Sequence, residues 1–536
     1  MKRWNGWGDD SFNYPVGEGP RCFIEDLIGA GSPPIDATLS EVLTSIPQSR
    51  LPAHPLVSLE PLDRLKHARG HSLPDWIALR SGLVDAFPDG VAYPADLGHV
   101  RDLLRYASSA GACVIPYGGG TSVVGHINVQ GGGPPCLSID LGRLNHLKHF
   151  DMLSHLATFG AGVSGPDLEA QLRARGCTLG HFPQSFEYST LGGWIVTRSS
   201  GQQSLGYGRI ERLFAGGCLE SPAGTLVLPP FPASAAGPDL REAVLGSEGR
   251  LGILTEATVR VAPLPQREEF HGFFFGSFED GLQAVREIMQ ARLPLCLVRL
   301  STAGETETNL ALAGHERVIR VLKGMLSLRG LTGERCMLLV GCAGRRGMVS
   351  AAVSQVKAIA QPHGGVHLGQ TFGKQWHKSR FRTPYLRNTL WEMGYAIDTL
   401  ETAVSWTAIP GLVAELEHVL RIGLHDVGER VHVFTHLSHV YPYGSSIYTT
   451  YLYRCSSTKD RELDASETLR RWKVLKKAAC RVILSHGGTI SHQHGVGTDH
   501  LAYLAPEKGP LGVAALRSLC SCFDPQGIMN PGKLLA

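Results

Sequence analysis

The side chains best suited to proton chemistry lie near the C-terminus, in His492-Gln493-His494. Leu484 and Ile490 precede them and predict a strand, on which alternate residues share a face. His492 and His494 would then point the same way, and two adjacent imidazoles can carry protons near neutral pH. A single histidine is more often structural, but this pair stands directly before Gly495-Val496-Gly497, which favours a reactive site.

A second candidate site is a glycine loop, Gly118-Gly119-Gly120-Thr121-Ser122, which follows a short apolar run that predicts a buried strand. Because glycine lacks a Cβ atom, the backbone can approach a ligand, and successive N–H groups and hydroxyls can form an anion site. The loop would suit a pyrophosphate, whereas a surface turn explains three glycines alone equally well. It matches neither the Gly-x-Gly-x-x-Gly dinucleotide fingerprint nor a P-loop.

Two further segments, 182–208 and 246–253, are rich in glycine, serine and threonine. A long segment of this kind inside an ordered domain lines a ligand more often than it serves as a plain loop. The polar stretch Ala68-Arg69-Gly70-His71-Ser72-Leu73 is interpreted as a surface loop. His436 and His439 raise the alternative of a metal site with His492 or His494, but neighbouring histidines more often bind no metal, so none is expected.

Alternating strands and helices must position these segments. Asp96 predicts the start of a helix with Val100, Leu103, Leu104 and Ala107 on its buried face. Strands are predicted at 137–141, 155–159 and 256–261, and Pro263-Leu264-Pro265 then marks a domain boundary. A second α/β unit is predicted beyond it, with a helix over 410–422 and a strand over 431–434. Trp4 and Trp7 indicate that the N-terminus is docked against the body.

The composition limits the class of protein. A chain of 536 residues with 43% hydrophobic and 18% charged residues is typical of an ordered globular protein with two or three domains. Its net charge of +3 gives no argument for nucleic acid binding. No signal peptide or spanning apolar run is recognised, so the twelve cysteines are expected to be reduced in the cytoplasm.

Five stretches together resemble a known family: Arg3-Trp4-Asn5-Gly6-Trp7-Gly8, Gly70-His71, Pro116–Ser122, Ser189-Thr190-Leu191-Gly192-Gly193-Trp194 and Ser491–Gly497. The order of the three small-residue loops is similar to that in the vanillyl-alcohol oxidase and p-cresol methylhydroxylase flavoproteins. Within them, the resemblance to the alkyldihydroxyacetonephosphate synthase family runs nearly from end to end.

The resemblance implies an α+β fold with a two-subdomain FAD-binding domain of the p-cresol methylhydroxylase type and an α/β cap. We expect a docking segment over 1–87, the FAD-binding domain over 88–265, the cap over 266–490 and a C-terminal segment over 491–536 that returns to the FAD site. FAD would be held noncovalently, since the glycine loop contains no histidine, although His126 lies just beyond it. The implied cofactor residues are Pro116, Gly118, Gly119, Gly120, Thr121, Ser122, Pro183, Ser189, Thr190, Gly193, Arg198, Ser200, Glu248, Gly249, Gly252 and Ile253.

The same resemblance assigns catalytic roles to Tyr448, Arg387, Arg299, His492 and His494. Pattern alone fits Tyr448 equally well as a packed strand aromatic. A guanidinium suits phosphate or carboxylate, but an arginine also forms structural ion pairs. The family has three consecutive histidines where this chain has Gln493 in the middle, and glutamine forms hydrogen bonds but carries no proton.

The resemblance implies a synthase that exchanges the acyl chain of acyl-dihydroxyacetone phosphate for a fatty alcohol. Amphiphilic substrates of this kind would bring the protein to a membrane surface, and a homodimer is a further expectation. The alternatives are an FAD-linked dehydrogenase or oxidase of a 2-hydroxy acid or alcohol, which Gln493 keeps open, and a flavin-binding scaffold without turnover.

Overall fold

The computed structural model describes residues 2–314 and 316–535. The helices are, in chain order, α1 (Glu18–Ile28), α2 (Leu39–Ser45), α3 (Pro61–Lys66), α4 (Leu73–Ser81), α5 (Leu97–Ser109), α6 (Gly165–Arg173), α7 (Leu191–Val196), α8 (Ser204–Tyr207), α9 (Ile210–Leu213), α10 (Arg241–Val244), α11 (Phe278–Gln290), α12 (Ala303–Leu312), α13 (Glu316–Leu328), α14 (Arg346–Ala360), α15 (Thr371–Ser379), α16 (Leu386–Glu392), α17 (Ile409–Ile422), α18 (Arg461–Ser485) and α19 (Leu501–Phe523). Single 3₁₀ turns occur at Gln361–His363, Thr383–Tyr385, Trp406–Ala408 and His425–Val427.

The strands are β1 (Val57–Ser58), β2 (Gly90–Ala92), β3 (Cys113–Tyr117), β4 (Cys136–Asp140), β5 (Leu147–Asp151), β6 (Leu156–Gly160), β7 (Cys177–Thr178), β8 (Phe214–Ser221), β9 (Gly224–Leu228), β10 (Ile253–Arg260), β11 (Ala262–Pro263), β12 (Arg267–Phe275), β13 (Leu297–Ser301), β14 (Cys336–Gly344), β15 (Val366–His367), β16 (Tyr395–Ser405), β17 (His432–Tyr441) and β18 (Gly444–Arg454). They form sheets in the orders β1-β2-β4-β3, β5-β6-β10-β8-β9, β11-β7 and β15-β12-β14-β13-β17-β18-β16.

The first two larger sheets form the two halves of the N-terminal part. In the smaller one, β2, β4 and β3 are parallel, and the glycine loop follows the end of β3. The carboxylate of Asp96 accepts a hydrogen bond from the His99 N–H and caps α5, whose predicted apolar face is buried, so that helix prediction is confirmed. The second sheet is antiparallel and contains the strands predicted at 155–159 and 256–261.

The seven-stranded sheet forms the cap and is antiparallel throughout. In its register, β18 lies between β16 and β17, so that Tyr448 pairs with Glu401 on one side and with His436 on the other. The helix predicted over 410–422 is confirmed as α17, which packs on this sheet through Leu412, Leu416 and Leu420. The sheet therefore brings one polar residue from each of three strands into a single row.

The strand predicted before His494 is wrong. α18 continues to Ser485, and residues 486–500 form a loop. Gly487 adopts a φ of +67° just after the helix, a conformation that ends helices and that glycine tolerates best. His492 and His494 are consequently positioned by the contacts of a loop and not by the alternation of a strand.

The interpretation of 68–73 as a surface loop is also wrong. Ala68 and Ser72 are buried. The N–H of His71 donates a hydrogen bond to the carbonyl oxygen of Ser122 (2.6 Å), and a Cβ atom on Gly70 would lie 2.7 Å from that same oxygen. This segment is buried because it lies against the glycine loop, a contact that its polar composition does not reveal.

The N-terminus is docked, as its tryptophans predict. Trp7 is buried and exchanges two hydrogen bonds of 3.0 Å with the side chain of Asn388 in the cap, and its ring contacts those of His71 and Tyr188 edge to face. Residues 2–8 therefore connect the cap with the N-terminal part that contains the first two larger sheets. None of the helices formed by the described residues is both long and apolar enough to span a membrane.

Candidate active site

The glycine loop packs tightly against the residues that precede α7. A Cβ atom on Gly119 would lie 1.7 Å from the carbonyl oxygen of Tyr188, and one on Gly118 would lie 2.3 Å from Oγ1 of Thr190. Both positions therefore require glycine. Thr190 also caps α7 by accepting a hydrogen bond from the N–H of Gly193 (3.4 Å). The first two predicted cofactor segments are thus one packed unit.

The third predicted cofactor segment joins this unit from the other side. Gly249 has a φ of +77°, and a Cβ atom there would lie 3.1 Å from the ring of Pro116. Glu248 is buried, and its carboxylate accepts hydrogen bonds from the N–H groups of Val496 (2.6 Å) and Gly497 (2.8 Å). Glu248 therefore ties the predicted cofactor loops to the loop that carries the histidines.

The other predicted cofactor residues lie around the same unit. Pro183, Ser189 and Ser200 belong to the second segment, and Thr121 and Ser122 to the glycine loop with Gly120. Gly252 directly precedes β10, and Ile253 is its first residue. Ser122 Oγ lies 2.9 Å from Nδ1 of His126. Arg198 forms an ion pair with Glu242 (3.0 Å), so its assignment to the cofactor stays a prediction.

Buried polar atoms without a partner mark where a polar ligand would bind. Such atoms are rare in folded proteins, because an unsatisfied buried donor or acceptor is destabilising. In the part of the chain that the structure describes, they include Oγ of Ser200 and of Ser247 and Oδ1 of Asn128. Hydroxyl donors suit phosphate and ring carbonyl oxygens, and an amide oxygen accepts from a ring N–H group. Together with the Cβ-free glycine loop, these residues fit a flavin dinucleotide.

The histidine loop is organised by one carboxylate, that of Glu401 on β16. Glu401 is buried and accepts hydrogen bonds from Oγ of Ser491 (2.7 Å) and from three successive backbone N–H groups, those of His492 (2.6 Å), Gln493 (3.1 Å) and His494 (2.9 Å). Successive N–H groups that converge on one anion form a strong and directional site. Glu401 therefore fixes the backbone of all three candidate catalytic positions.

His492 is held in one tautomer by its neighbours. Its Nε2 receives a hydrogen bond from Nη1 of Arg209 (3.1 Å) and lies 2.6 Å from the hydroxyl of Tyr441. A guanidinium only donates, so Nε2 carries the lone pair and Nδ1 carries the proton. Burial, and then the charge of Arg209, keeps the pKa of His492 well below its usual value. His492 is thus neutral, and its proton-carrying role stays a prediction.

His494 and Tyr448 face each other in the same centre. Their rings are nearly perpendicular, with centroids 5.8 Å apart, and Nδ1 of His494 lies 3.5 Å from Glu401. Burial lowers the pKa of His494, although the charge of Glu401 opposes this. Burial raises the pKa of Tyr448 to about 12, and its hydroxyl donates to Oγ1 of Thr399 (3.1 Å). Near neutral pH, a neutral imidazole therefore stands beside a protonated phenol.

Arg299 is neutralised by Glu305. Nη2 of Arg299 donates to the Glu305 carboxylate (2.7 Å), which also lies 2.9 Å from Nδ1 of His436. Burial opposes ionisation of Glu305, yet His436 and Arg299 hold the pKa of this carboxyl well below its usual value. The ring of His436 stacks on Tyr448 with centroids 5.0 Å apart. Arg299 therefore forms an ion pair behind Tyr448, and direct substrate contact stays a prediction for it.

Arg387 is the predicted arginine with a free donor. Nη1 donates to the carbonyl oxygen of His71 (2.7 Å), the guanidinium lies over the ring of Trp76 at 4.5 Å, and Nη2 is buried without a partner. Burial lowers its pKa from the usual arginine value. A guanidinium that is held in place by stacking and has one unpaired NH₂ group can donate a hydrogen bond to a carbonyl or phosphate oxygen.

Sequence reasoning missed the residues that position this centre, chiefly Glu401, Glu305 and Arg209. None of them stands in a motif, and Glu401 lies 91 residues from the loop that it holds. The described residues contain no group of three or more His, Cys, Asp or Glu side chains arranged for a metal ion. Nδ1 of His436 instead contacts Glu305, and Nδ1 of His439 lies 3.2 Å from Oγ of Ser204.

Comparisons with known proteins agree with this geometry. Residues 88–227 match a family described as "FAD binding domain", and residues 264–534 match "FAD linked oxidases, C-terminal domain". The chain is 32% identical to an alkyldihydroxyacetonephosphate synthase of Dictyostelium discoideum, covering 88% of this chain and 77% of that protein. It is 30% identical to the synthase of Trypanosoma brucei brucei, covering 89% and 78%.

A solved alkyldihydroxyacetonephosphate synthase structure superposes on the chain with a TM-score of 0.83 at 28% identity, covering 99% of this chain and 98% of that one. The likeness therefore includes both the flavin-binding part and the cap. With its FAD-binding and oxidase-type domains, the chain is an FAD-binding enzyme and belongs to the alkyldihydroxyacetonephosphate synthase family.

Proposed function

We propose that the protein is an FAD-dependent synthase that exchanges the acyl chain of acyl-dihydroxyacetone phosphate for a fatty alcohol. The observation that carries the proposal is the near full-length likeness to synthases, in a chain whose histidine loop is held to the predicted cofactor loops by Glu248 and to the cap sheet by Glu401. Among the candidate catalytic side chains, Arg387 keeps a buried donor without a partner, and His494 faces Tyr448 in the same centre.

The protonation state of each side chain determines the role that it can take in the reaction. FAD, when bound, supplies an electrophilic ring for a reaction without net oxidation. His494 is neutral and accepts the proton removed from C1 of the substrate. Tyr448 keeps its proton far above neutral pH, and its hydroxyl, which donates to Oγ1 of Thr399, would redirect this hydrogen bond to a substrate oxygen. Arg387 binds a substrate oxygen through its free Nη2, and the closely packed loops exclude water.

An FAD-linked oxidoreductase is the second candidate function. Its support is the match of residues 264–534 to the C-terminal domain of FAD linked oxidases, together with Gln493, which places a side chain without a titrating group in the centre. On this alternative, His494 would accept a proton while a 2-hydroxy acid or alcohol gave up its electrons to the flavin.

One pair of assays separates the two functions. Protein loaded with FAD is incubated with palmitoyl-dihydroxyacetone phosphate and radiolabelled hexadecanol, and label in an alkyl product is the expected result. In parallel, D-2-hydroxy acids are added anaerobically, and the visible flavin band should persist. Bleaching of the flavin without an alkyl product would reject the synthase in favour of the oxidoreductase.

The assignment of Tyr448 has a matched control. Tyr448→Phe removes one hydroxyl from the centre and should lower alkyl transfer by about tenfold or more, since a donor to a reacting oxygen is lost. Tyr443→Phe removes a hydroxyl from an exposed tyrosine five residues away and should leave the rate unchanged.

A peripheral membrane contact is proposed for α13. Val318, Val321, Met325 and Leu328 are 68%, 72%, 39% and 92% exposed, and their spacing places them on one face of the helix. Arg317 and Arg329 are exposed on either side of this face. An apolar stripe bordered by cations suits the surface of an anionic lipid bilayer, into which the apolar residues would insert.

Vesicle sedimentation tests this contact. The protein should pellet with vesicles containing phosphatidylserine and less with phosphatidylcholine alone, and Val321→Asp/Leu328→Asp should abolish pelleting. Val227→Asp changes a valine of similar exposure (66%) on β9 and serves as the control. Equal pelleting of both variants would place the lipid contact elsewhere.

Two further expectations stay predictions. Noncovalent FAD should be released by acid precipitation, and flavin that stays in the pellet would indicate a covalent bond. A homodimer should appear in sedimentation velocity, with one species at twice the mass of the 57.8 kDa chain.

A further inference from the structure

Lys2 is a cation beside the glycine loop to which neither candidate function assigns a role. Its Nζ donates a hydrogen bond of 2.8 Å to the carbonyl oxygen of Gly119 and lies 5.8 Å from the centre of the Tyr188 ring. An ammonium group has three N–H donors, so two remain after the bond to Gly119. Lys2 therefore places a positive charge and free donors at the loop that is predicted to hold the pyrophosphate of FAD.

The backbone around Lys2 fixes its position. Lys2 pairs with Asp9 in an isolated antiparallel bridge, and the N–H of Arg3 donates to the carbonyl oxygen of Gly8 (2.9 Å). These contacts close the N-terminal segment, residues 2–9, into a short loop, and the hydrogen bonds of Trp7 hold this loop on the cap. The position of Lys2 thus does not depend on its bond to the glycine loop alone.

No carboxylate neutralises this cation. None of the ion pairs formed within the described residues includes Lys2, and the carboxylate of Asp140, whose charge acts on it, lies 2.9 Å from Nε2 of His67 instead. The surrounding protein lowers the pKa of Lys2 by burial, although the surface of the side chain is accessible. An accessible side chain surrounded by protein lines a cleft, and an unpaired cation in a cleft suits an anionic ligand.

The glycine loop offers its own donors to such a ligand. Among the described residues, none accepts a hydrogen bond from the backbone N–H groups of residues 118–123. Backbone donors are normally paired in folded proteins, and successive N–H groups without partners form a site for an anion. The free N–H groups and the Lys2 ammonium therefore indicate the same chemistry, the binding of a phosphate group.

We propose that Lys2 binds the pyrophosphate of FAD, so that the N-terminal segment is part of the cofactor site. The ammonium donates to phosphate oxygens while it keeps its bond to the Gly119 carbonyl, and the free N–H groups of the loop complete the contacts. Retention of FAD then depends on the docked segment. The inference needs FAD but neither of the two candidate reactions, so it holds or fails independently of the proposed function.

Release of FAD from the holoprotein tests the charge of Lys2. The holoprotein is diluted stepwise, and the fluorescence of released flavin gives the dissociation constant at about 20 mM and about 500 mM potassium chloride. Lys2→Gln keeps a donor for Gly119 but loses the charge. It should raise the dissociation constant at least about tenfold at the lower salt concentration, because a hydrogen bond from a charged group is lost. Since salt screens charges, the difference from the native protein should shrink at the higher concentration.

Two further variants make the result specific. Lys2→Arg retains a cation and should keep the dissociation constant within about threefold of the native value. Lys473→Gln removes the charge of an exposed lysine on α18 and should leave the constant unchanged. A variant isolated without flavin is titrated with FAD instead. If dilution releases no flavin, the temperature at which heating releases it replaces the constant, and this temperature should fall in Lys2→Gln only.

Sulfite locates the contact within the cofactor. It adds reversibly to the ring of protein-bound flavin and bleaches its visible band, whereas the pyrophosphate lies outside the ring. Lys2→Gln should therefore leave the dissociation constant of sulfite within about threefold of the native value. A larger shift would place the ammonium at the flavin ring and overturn its assignment to the pyrophosphate.

The remaining outcomes separate the charge of Lys2 from a structural role and from the proposed function. Native release of FAD from Lys2→Gln at both salt concentrations overturns the proposal. An equal loss of affinity at both concentrations that Lys2→Arg shares also overturns it, because Lys2 would then only support the loop. Native protein that transfers no alkyl chain, but whose FAD is released more readily in Lys2→Gln as expected, rejects the synthase and supports the assignment of Lys2.

Discussion

Glu401→Gln is the most direct test of how the centre is built. The change keeps the size of the side chain and replaces one carboxylate oxygen by an NH₂ group. If the amide oxygen occupies the Oε1 position, the NH₂ group opposes the N–H of His492, which now lies 2.6 Å from Oε2. In the opposite orientation it opposes Ser491 Oγ and the N–H groups of Gln493 and His494. At least one hydrogen bond is therefore lost in either orientation.

The magnitude follows from the type of bond. A hydrogen bond to a charged group contributes about 1.5–3 kcal/mol, and about 1.36 kcal/mol corresponds to a factor of ten. Local opening of the loop should therefore become about 10- to 150-fold more frequent. Hydrogen–deuterium exchange of the amides of 491–494, followed by mass spectrometry, measures this factor directly. Alkyl transfer should fall with it, because a small displacement of reacting groups is enough to slow catalysis.

The control is Glu417→Gln, which alters a buried glutamate on α17 that is paired with Arg421 and lies outside the loop. It should leave exchange of 491–494 unchanged. Unchanged exchange of these amides in Glu401→Gln, in protein that still binds FAD, would refute the role given to this carboxylate.

Three further perturbations have defined outcomes. Gly119→Ala should yield protein without the visible flavin band, since its Cβ would collide with the Tyr188 carbonyl, whereas Gly131→Ala meets only an ordinary 3.7 Å contact and should bind FAD. Arg209→Lys, which cannot reach both Nε2 and the carbonyl oxygen of His492, should lower kcat about tenfold at unchanged FAD content. Lys533→Met should raise the melting temperature at pH 7, because burial lowers the pKa of Lys533 to about 8 against roughly 10.4 when unfolded. The buried charge is lost as pH rises through 8, so this advantage should shrink between pH 8 and 10 in melting curves, and a constant advantage would contradict it.

The local elements could be predicted from the sequence because their signals are local. The cap of α5 by Asp96 and its apolar face need only a few neighbouring residues. α17 is marked in the same way by its spacing of leucines. The glycine loop is a candidate ligand loop because missing Cβ atoms let the backbone approach a ligand, although a surface turn explains three glycines equally well. The resemblance then supplied the arrangement of the domains, which no periodicity contains.

The errors came from tertiary contacts. Residues 68–73 are polar and punctuated by glycine, which is typical of surface loops, yet they are buried because His71 and Gly70 lie against Ser122. The apolar residues before His492 suggested a strand, but Leu484 belongs to α18 and the histidines follow in a loop. In both cases the deciding partner is more than 50 residues away, beyond the reach of any local pattern.

The two buried carboxylates attach the histidine loop to two different parts of the fold. Glu401 belongs to the cap sheet and holds residues 491–494, whereas Glu248 precedes β10 and holds residues 496 and 497. Each accepts backbone N–H groups, so the loop is fixed at both ends by different parts of the fold. A loop fixed in this way holds the backbone that carries its imidazoles before a substrate arrives, and preorganised groups of this kind stabilise developing charge without reorganising. The position of the histidine motif therefore depends on two glutamates outside it, Glu248 in the third small-residue segment and Glu401, which stands in no motif.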